Sequence, residues 1–159
     1  MKTNLISSLT GMRLTCVISN SAERRQMSDK YFLDSNIIIY AFGGDTRKKE
    51  TAKSLLRSRP IISTQVINET VNVCFRKLKL PANEIFHLLN LLKSKCDIRQ
   101  IDLGTIELAI SVAEKYGYSY FDSLIIASSF EYNCPILYTE DMQHNQIIEN
   151  RLRLINPFH

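Results

Sequence analysis

The sequence contains no tryptophan and has few residues that break regular structure, with five glycines and four prolines among 159 residues. Disordered and linker-rich chains are usually enriched in proline, glycine and charge, so the composition argues against that class. The hydrophobic fraction of 45% and the charged fraction of 23% are ordinary values for a folded domain. The length suits a single domain that needs no disulfide staples.

Cysteines are few and widely spaced. The four of them, Cys16, Cys74, Cys96 and Cys134, form no C-x-x-C pair and have no histidine at zinc-ligand spacing. This spacing argues against a structural zinc site. We expect the four thiols to be reduced, which indicates a reducing compartment.

Long apolar runs are also missing, since no stretch approaches the ~18 residues that would span a membrane. The N-terminal segment LISSLTGMRLTCVIS is mildly apolar, but Arg13 interrupts it, which makes it a poor signal peptide. We therefore expect a cytoplasmic protein with no membrane partner.

An excess of positive charge is confined to one end of the chain. Residues 1–28 hold four basic residues and one acid, and so supply +3 of the net charge of +4. Any nucleic-acid function must therefore depend on a local site. We interpret residues 1–28 as an N-terminal extension, either poorly ordered or an artefact of start-site choice with Met27 as the true start. An extra packed helix is the alternative, and the domain itself is expected over residues 29–159.

From residue 31 onward, strand-like and helix-like segments alternate. Strands are predicted at 31–33, 60–63, 97–101, 135–139 and 152–156, and helices at 36–42, 47–58, 64–80, 84–94, 105–117 and 121–133. Alternation of this kind implies right-handed crossovers and a parallel sheet. We expect an α/β fold of about five short parallel strands flanked by helices on both faces.

Four acidic residues stand where such a fold places its ligand sites. Asp34 and Asp141 follow predicted strands, Asp122 opens a predicted helix, and Glu69 lies in the helix after the second strand. Ligands of open parallel sheets bind beyond the carboxyl ends of the strands. Each acid also has a structural interpretation, as a helix cap, a dipole partner or a solvated side chain. Their common placement is what favours a site.

Clustered carboxylates repel one another unless a cation neutralises them. Oxygen ligands suit Mg²⁺ or Mn²⁺, which polarise phosphoryl oxygens and acidify a bound water. The pattern therefore indicates hydrolysis of phosphodiesters.

Four segments resemble, in order and spacing, the acidic motifs of PIN-domain ribonucleases, and most closely those of VapC-like toxins from bacterial toxin–antitoxin modules. They are FLDSNIIIYAF (32–42), INE (67–69), YFDSLIIASS (120–129) and ILYTEDM (136–142). The resemblance covers residues 30–158 and implies a PIN-like three-layer sandwich. It is also the reason for predicting a helix at 36–42, where three consecutive isoleucines would otherwise favour a strand.

The resemblance implies an acidic quartet of Asp34, Glu69, Asp122 and Asp141 around one or two ions of Mg²⁺ or Mn²⁺. Asp34 and Asp122 would be the firmest ligands, Glu69 would hold a ligand water or a second ion, and Asp141 would bind the second position or act through water. The implied reaction is endonucleolytic cleavage of RNA, and the implied partners are a cognate antitoxin and a second copy of the chain.

Three neighbouring residues have supporting roles in the resemblance. Ser35 and Asn36 match the polar pair after the first acid, with Asn36 orienting it, and Thr139 matches a residue that supports the site. Glu140 adjoins Asp141 and is the alternative for the fourth acid.

Two other functions remain open on the sequence. A non-catalytic PIN-like domain that binds RNA or acts as a scaffold would commonly lack one of the acids. A phosphoryl-transfer protein using Asp34 as a nucleophile would typically need a second aspartate where Asn36 stands. His144 is interpreted as a surface residue without a role.

Overall fold

A computed structural model describes residues 30–43 and 46–159. The predicted N-terminal extension, residues 1–28, lies outside the described residues and stays a prediction, as does the beginning of the domain at residue 29. Cys16 also lies outside. The other three cysteines are buried and free, which confirms for them the prediction of reduced, structural thiols. Within the described residues, no helix is long and apolar enough to cross a membrane.

The described residues form one six-stranded sheet. Its strands are β1 (Tyr31–Leu33), β2 (Ile61–Ser63), β3 (Asp97–Arg99), β4 (Ile136–Tyr138), β5 (Ile147–Ile148) and β6 (Leu152–Ile155). The strand order is β3-β2-β1-β4-β6-β5. All neighbouring pairs are parallel except β5 with β6. The five predicted strands are therefore confirmed, and the short antiparallel edge strand β5 is an addition.

Six α-helices flank this sheet within the described residues, which confirms the predicted α/β sandwich. They are α1 (Ser35–Phe42), α2 (Thr46–Leu55), α3 (Thr64–Arg76), α4 (Ala82–Lys95), α5 (Leu103–Tyr116) and α6 (Tyr120–Glu131). The helical prediction for the isoleucine run in α1 is confirmed. The Asp34 carboxylate caps this helix by accepting the Ser35 N–H, which helps turn the chain from β1 into a helix.

The core lies where the central strands meet helix α6. Phe32, Leu137 and Leu154 are completely buried strand residues. Every residue of helix α6 from Ser123 to Phe130 is buried. Its small residues allow close packing, and the Ser128 and Ser129 hydroxyls each donate to a backbone carbonyl one turn earlier. A helix held this firmly fixes the position of Asp122 in its first turn.

Candidate metal centre

The register between the two central strands brings Asp34 and Thr139 together. Strands β1 and β4 are parallel neighbours in which Leu33 pairs with Tyr138, so the next residue of each strand emerges at the same edge. The Asp34 N–H donates to the Tyr138 carbonyl at 3.0 Å. The Thr139 hydroxyl donates to Asp34 Oδ2 at 2.6 Å. The centre of the site is thus set by the sheet.

Asp34 is a buried carboxylate with only 3% of its surface exposed. Its Oδ1 accepts the Ser35 N–H at 2.5 Å, and its Oδ2 accepts from Thr139 and, at 3.2 Å, from Asn36 Nδ2. Burial raises the pKa of Asp34 most strongly, the charges of Glu69 and Asp141 raise it further, and the hydrogen bonds lower it, for a result of about 7. The ionised form of Asp34 is therefore disfavoured unless a cation lies nearby.

Glu69 joins Asp34 through one hydroxyl. Ser35 Oγ lies 2.7 Å from Glu69 Oε2, to which it donates, and 3.2 Å from Asp34 Oδ1. The other Glu69 oxygen accepts from Gln65 Nε2 at 2.8 Å, one turn earlier in α3. The hydroxyl of Ser35 therefore stands between two carboxylates.

Asp141 joins the site through the amide of Asn36. Asn36 Nδ2 donates to Asp141 Oδ2 at 3.0 Å as well as to Asp34. The Asp141 N–H donates to Thr139 Oγ1 at 3.3 Å. Asn36 Oδ1 is buried and accepts no hydrogen bond. Since a buried acceptor without a donor is costly, this oxygen is suited to a further ligand such as an ordered water.

Asp122 stands apart from this network. Its Oδ2 accepts from Ser119 Oγ at 2.7 Å, while Ser119 in turn caps helix α6 by accepting the Asp122 N–H at 3.2 Å. Among the described residues, no hydrogen bond or ion pair links Asp122 with Asp34, Glu69 or Asp141. Of the predicted quartet, the structure joins three members and places the fourth at the start of α6.

Glu140 and Asp141 face different partners. Glu140 forms an ion pair with Lys48. Its pKa lies below the ordinary value because hydrogen bonds from Lys48 and Tyr40 outweigh the opposing effect of burial. Asp141 instead contacts Asn36 in the network around Asp34. This geometry favours Asp141 over Glu140 as the fourth acid.

The donor set around Asp34 fits a hard divalent cation. Its oxygens come from Asp34, Glu69, Asp141 and the unpaired Asn36 Oδ1, and such ligands suit Mg²⁺ or Mn²⁺. As the side chains stand, no three Asp, Glu, His or Cys residues of the described chain converge into an ion-sized group. The donors of Ser35 and Asn36 lie between the carboxylates, so these side chains would have to move for direct ligation.

Three contacts at the site were not predicted from the sequence. Gln65 stands four residues before Glu69, and Ser119 stands three residues before Asp122. These are ordinary spacings for contacts within a helix or at its start, so a search for such partners would have found both. Lys48 had no such signal, because 92 residues separate it from Glu140.

Thr139→Val should raise the pKa of Asp34 above about 7, because it removes the hydroxyl that favours the charged carboxylate. A hydrogen bond to a charged group corresponds to about one to two pKa units. Carboxyl ¹³C NMR titration of metal-free protein measures the change. Thr70→Val is the matched control, since that buried hydroxyl donates to the Val66 carbonyl. An unchanged pKa in Thr139→Val would contradict the assigned role.

Comparison with known proteins agrees with this architecture. The family model of the PIN domain matches residues 31–149. Among solved structures, Mycobacterium tuberculosis VapC20, a toxin that cleaves the sarcin–ricin loop, is 20% identical with a TM-score of 0.60, and the match covers 70% of this chain and 90% of that one. A toxin–antitoxin complex from Klebsiella pneumoniae is 21% identical with a TM-score of 0.62, covering 80% and 98%.

VapBC2 from Rickettsia felis, bound to a promoter DNA fragment, is 21% identical with a TM-score of 0.52, covering 79% of this chain and 98% of that one. A search of curated protein sequences gives no match. At these identities the structural neighbours show a shared fold, whereas the family model extends over most of the chain. The chain belongs to the PIN domain family.

Proposed function

We propose that the protein is a metal-dependent endoribonuclease that hydrolyses RNA phosphodiester bonds. The observation that carries the proposal is the hydrogen-bonded network of Asp34, Glu69 and Asp141 at the carboxyl ends of β1 and β4. A buried carboxylate such as Asp34, whose pKa is raised by burial and by two neighbouring acids, favours a divalent cation. The chemistry of the implied ion, Mg²⁺ or Mn²⁺, suits a phosphodiester substrate.

Asp34, Glu69, Asp141 and Asp122 would hold the cation. Once bound, it would supply Lewis-acid stabilisation of phosphoryl oxygens and a water of lowered pKa. Ser35 and Asn36 orient the carboxylates, and Thr139 holds Asp34 Oδ2. Ser119 fixes Asp122 at the helix start, where the helix dipole also favours an anion.

We further propose that the protein acts in the cytoplasm as the toxin of a toxin–antitoxin pair. Of the structural neighbours named above, the Klebsiella pneumoniae structure is a toxin–antitoxin complex and the Rickettsia felis structure is VapBC2. VapC20 is a toxin that cleaves the sarcin–ricin loop. The surface has a groove of about 400 Å³ whose lining includes the apolar side chains of Leu56 and Leu91. Four cations also line it, Lys49, Lys53, Arg57 and Lys95. An antitoxin segment with acidic and apolar side chains would complement this groove.

A homodimer is part of the same proposal. Exposed apolar side chains, among them Phe86, Leu103 and Phe121, each show more than half of their surface. Such surface is more common at interfaces than on isolated monomers. Self-association would cover it.

The second candidate is a non-catalytic RNA-binding or scaffold domain. It is favoured by the absence of a hydrogen-bonded link between Asp122 and the other acids and by the lack of a converged three-ligand group, both among the described residues. Such a domain would bind RNA with or without a divalent cation.

Incubation of the purified protein with end-labelled single-stranded and hairpin RNAs separates the two candidates. We expect internal cleavage in Mn²⁺ or Mg²⁺ and none after EDTA treatment, with activity restored by adding the metal back. Asp34→Asn, which removes the central carboxylate of the network, should leave the RNA almost uncut when it is purified in the same way, which excludes a contaminating nuclease as the source of cleavage. Intact RNA under all metal conditions, together with measurable RNA binding, would favour the non-catalytic domain.

A further inference from the structure

Lys48 of α2 lies in a cage of three other side chains, Tyr40, Glu140 and Phe158. Its ammonium forms an ion pair with Glu140 and lies 3.3 Å from the Tyr40 hydroxyl oxygen. The same nitrogen is 4.5 Å from the centre of the Tyr40 ring and 5.3 Å from that of Phe158. We call these four residues the Lys48 cage. It joins α1, α2, the loop after β4 and the C-terminal segment.

The C-terminal segment forms one wall of the Lys48 cage and is itself held in place. The Tyr40 and Phe158 rings meet edge to face at 5.1 Å between centroids. The Phe158 N–H donates to Asn156 Oδ1, and the Asn156 N–H donates to His144 Nδ1, both at 2.9 Å. His144 thus helps to hold the C-terminal segment through one hydrogen bond.

Each residue of the loop from Thr139 to Asp141 contacts a side chain from outside the loop, at the start of α1 or in α2. Thr139 donates to Asp34, Glu140 pairs with Lys48, and Asp141 accepts from Asn36. Glu140 and Asp141 are neighbours on one backbone, so the direction of one side chain restricts that of the other. Holding Glu140 in the cage therefore helps to keep Asp141 directed at Asn36.

We propose that Lys48 is a positioning residue for the metal centre, acting through Glu140 to hold Asp141 in place. The inference rests on the proposed function, in which Asp141 belongs to the cation site. The pair is well placed for this task, because the side chains of Lys48 and Glu140 are only 29% and 24% exposed and the rings shield the ammonium. A solvated pair would hold its partners far less firmly.

Positioning and simple electrostatics predict opposite results when the lysine charge is removed. Lys48 is a cation beside a carboxylate cluster, so by Coulomb's law its loss should tighten the binding of Mn²⁺. A positioning role predicts weaker binding, because Glu140 and the loop it holds lose their anchor. The sign of the change in Mn²⁺ affinity therefore distinguishes the two roles.

The test is a titration of the full chain with Mn²⁺, in which the EPR signal of the free ion reports binding. We expect Lys48→Met to weaken Mn²⁺ binding about tenfold, the scale of effects seen for residues that orient metal ligands. Lys48→Arg keeps the charge and the contact with Glu140, and should restore most of the affinity. Lys93→Met is the matched control, since it removes the same charge from an exposed lysine of α4 and should leave the affinity unchanged.

Phe158→Ala provides a second test that alters no side-chain charge and leaves Lys48 and Glu140 in place. It removes one wall of the Lys48 cage and should weaken Mn²⁺ binding in the same direction as Lys48→Met. Thermal unfolding of each metal-free variant verifies that it is folded. If wild type binds Mn²⁺ and Lys48→Met binds it equally or more tightly, the positioning role is wrong while the proposed function stands. If wild type binds no Mn²⁺, both are wrong.

Discussion

Asp34→Asn should lower the rate of metal-dependent RNA cleavage by about a thousandfold, which corresponds to about 4 kcal/mol of transition-state stabilisation. Asp34 is the one acid that the network links to both Glu69 and Asp141, through the side chains of Ser35 and Asn36. An amide in its place removes the negative charge that a cation requires, so the metal and its activated water are lost together.

The substitution should leave the fold intact. Asparagine has nearly the same shape as aspartate, and its oxygen can still accept the Ser35 N–H that caps α1. In wild type the Thr139 hydroxyl donates to Asp34 Oδ2. In the variant the same hydroxyl can rotate to accept from the new amide group. Near-identical circular dichroism spectra of Asp34→Asn and wild type would confirm that a lost rate reflects chemistry.

Single-turnover cleavage of an end-labelled RNA in saturating Mn²⁺ measures the effect. Asp97→Asn is the matched control, because it makes the same change at a partly exposed residue that pairs with Arg99 on the edge strand β3. We expect it to cleave at the wild-type rate. Cleavage by Asp34→Asn within tenfold of wild type would contradict the proposed catalytic role of the carboxylate cluster.

The sequence was sufficient to predict where the acids stand along the chain, because strand ends and helix starts follow from local patterns. Asp34 after β1 and the Thr139–Asp141 segment after β4 are in the predicted places. That β1 and β4 are neighbours is a matter of strand order, which local patterns do not encode. The register that sets Asp34 beside Thr139 therefore needed the structure.

The side-chain network could not be predicted, since it depends on distances between remote segments. The Ser35 hydroxyl contacts Glu69, which is 34 positions away, and Lys48 and Glu140 are 92 positions apart. The choice between Asp141 and Glu140 was open for the same reason. Adjacent acids look equivalent in a sequence, and only their partners in space distinguish them.

The stability of the metal-free protein should fall as the pH rises from 5 to 7, and Asp34→Asn should remove this part of the pH dependence. The pKa of Asp34 is raised from 3.8 to about 7 in the folded protein. Below pH 3.8 both states hold the proton and Asp34 has no effect. Between the two pKa values the unfolded chain releases the proton while the folded protein keeps it, so each pH unit costs the fold about 1.4 kcal/mol.

The size of this effect follows from the two pKa values. The raised pKa of Asp34 lowers the free energy of unfolding by about 4 kcal/mol above pH 7. About 2.7 kcal/mol of this decrease occurs between pH 5 and pH 7. Urea unfolding in EDTA measures the free energy of unfolding of wild type and of Asp34→Asn at each pH. The difference between the two proteins reports the effect of Asp34, because most other titrating groups contribute equally to both. We expect the free energy of unfolding of Asp34→Asn to exceed that of wild type at pH 8, by a margin that narrows at pH 5.

A bound cation should reverse this order. Mn²⁺ at pH 8 neutralises the ionised Asp34 and binds only the folded site, so it should stabilise wild type in proportion to the logarithm of its concentration, with little effect on Asp34→Asn. Parallel pH profiles for the two proteins in EDTA would show that the pKa of Asp34 is not raised by its burial or by the charges of Glu69 and Asp141. The opposite responses expected in EDTA and in Mn²⁺ follow from one cause: the fold holds a carboxylate that is costly when ionised without a cation and favourable with one.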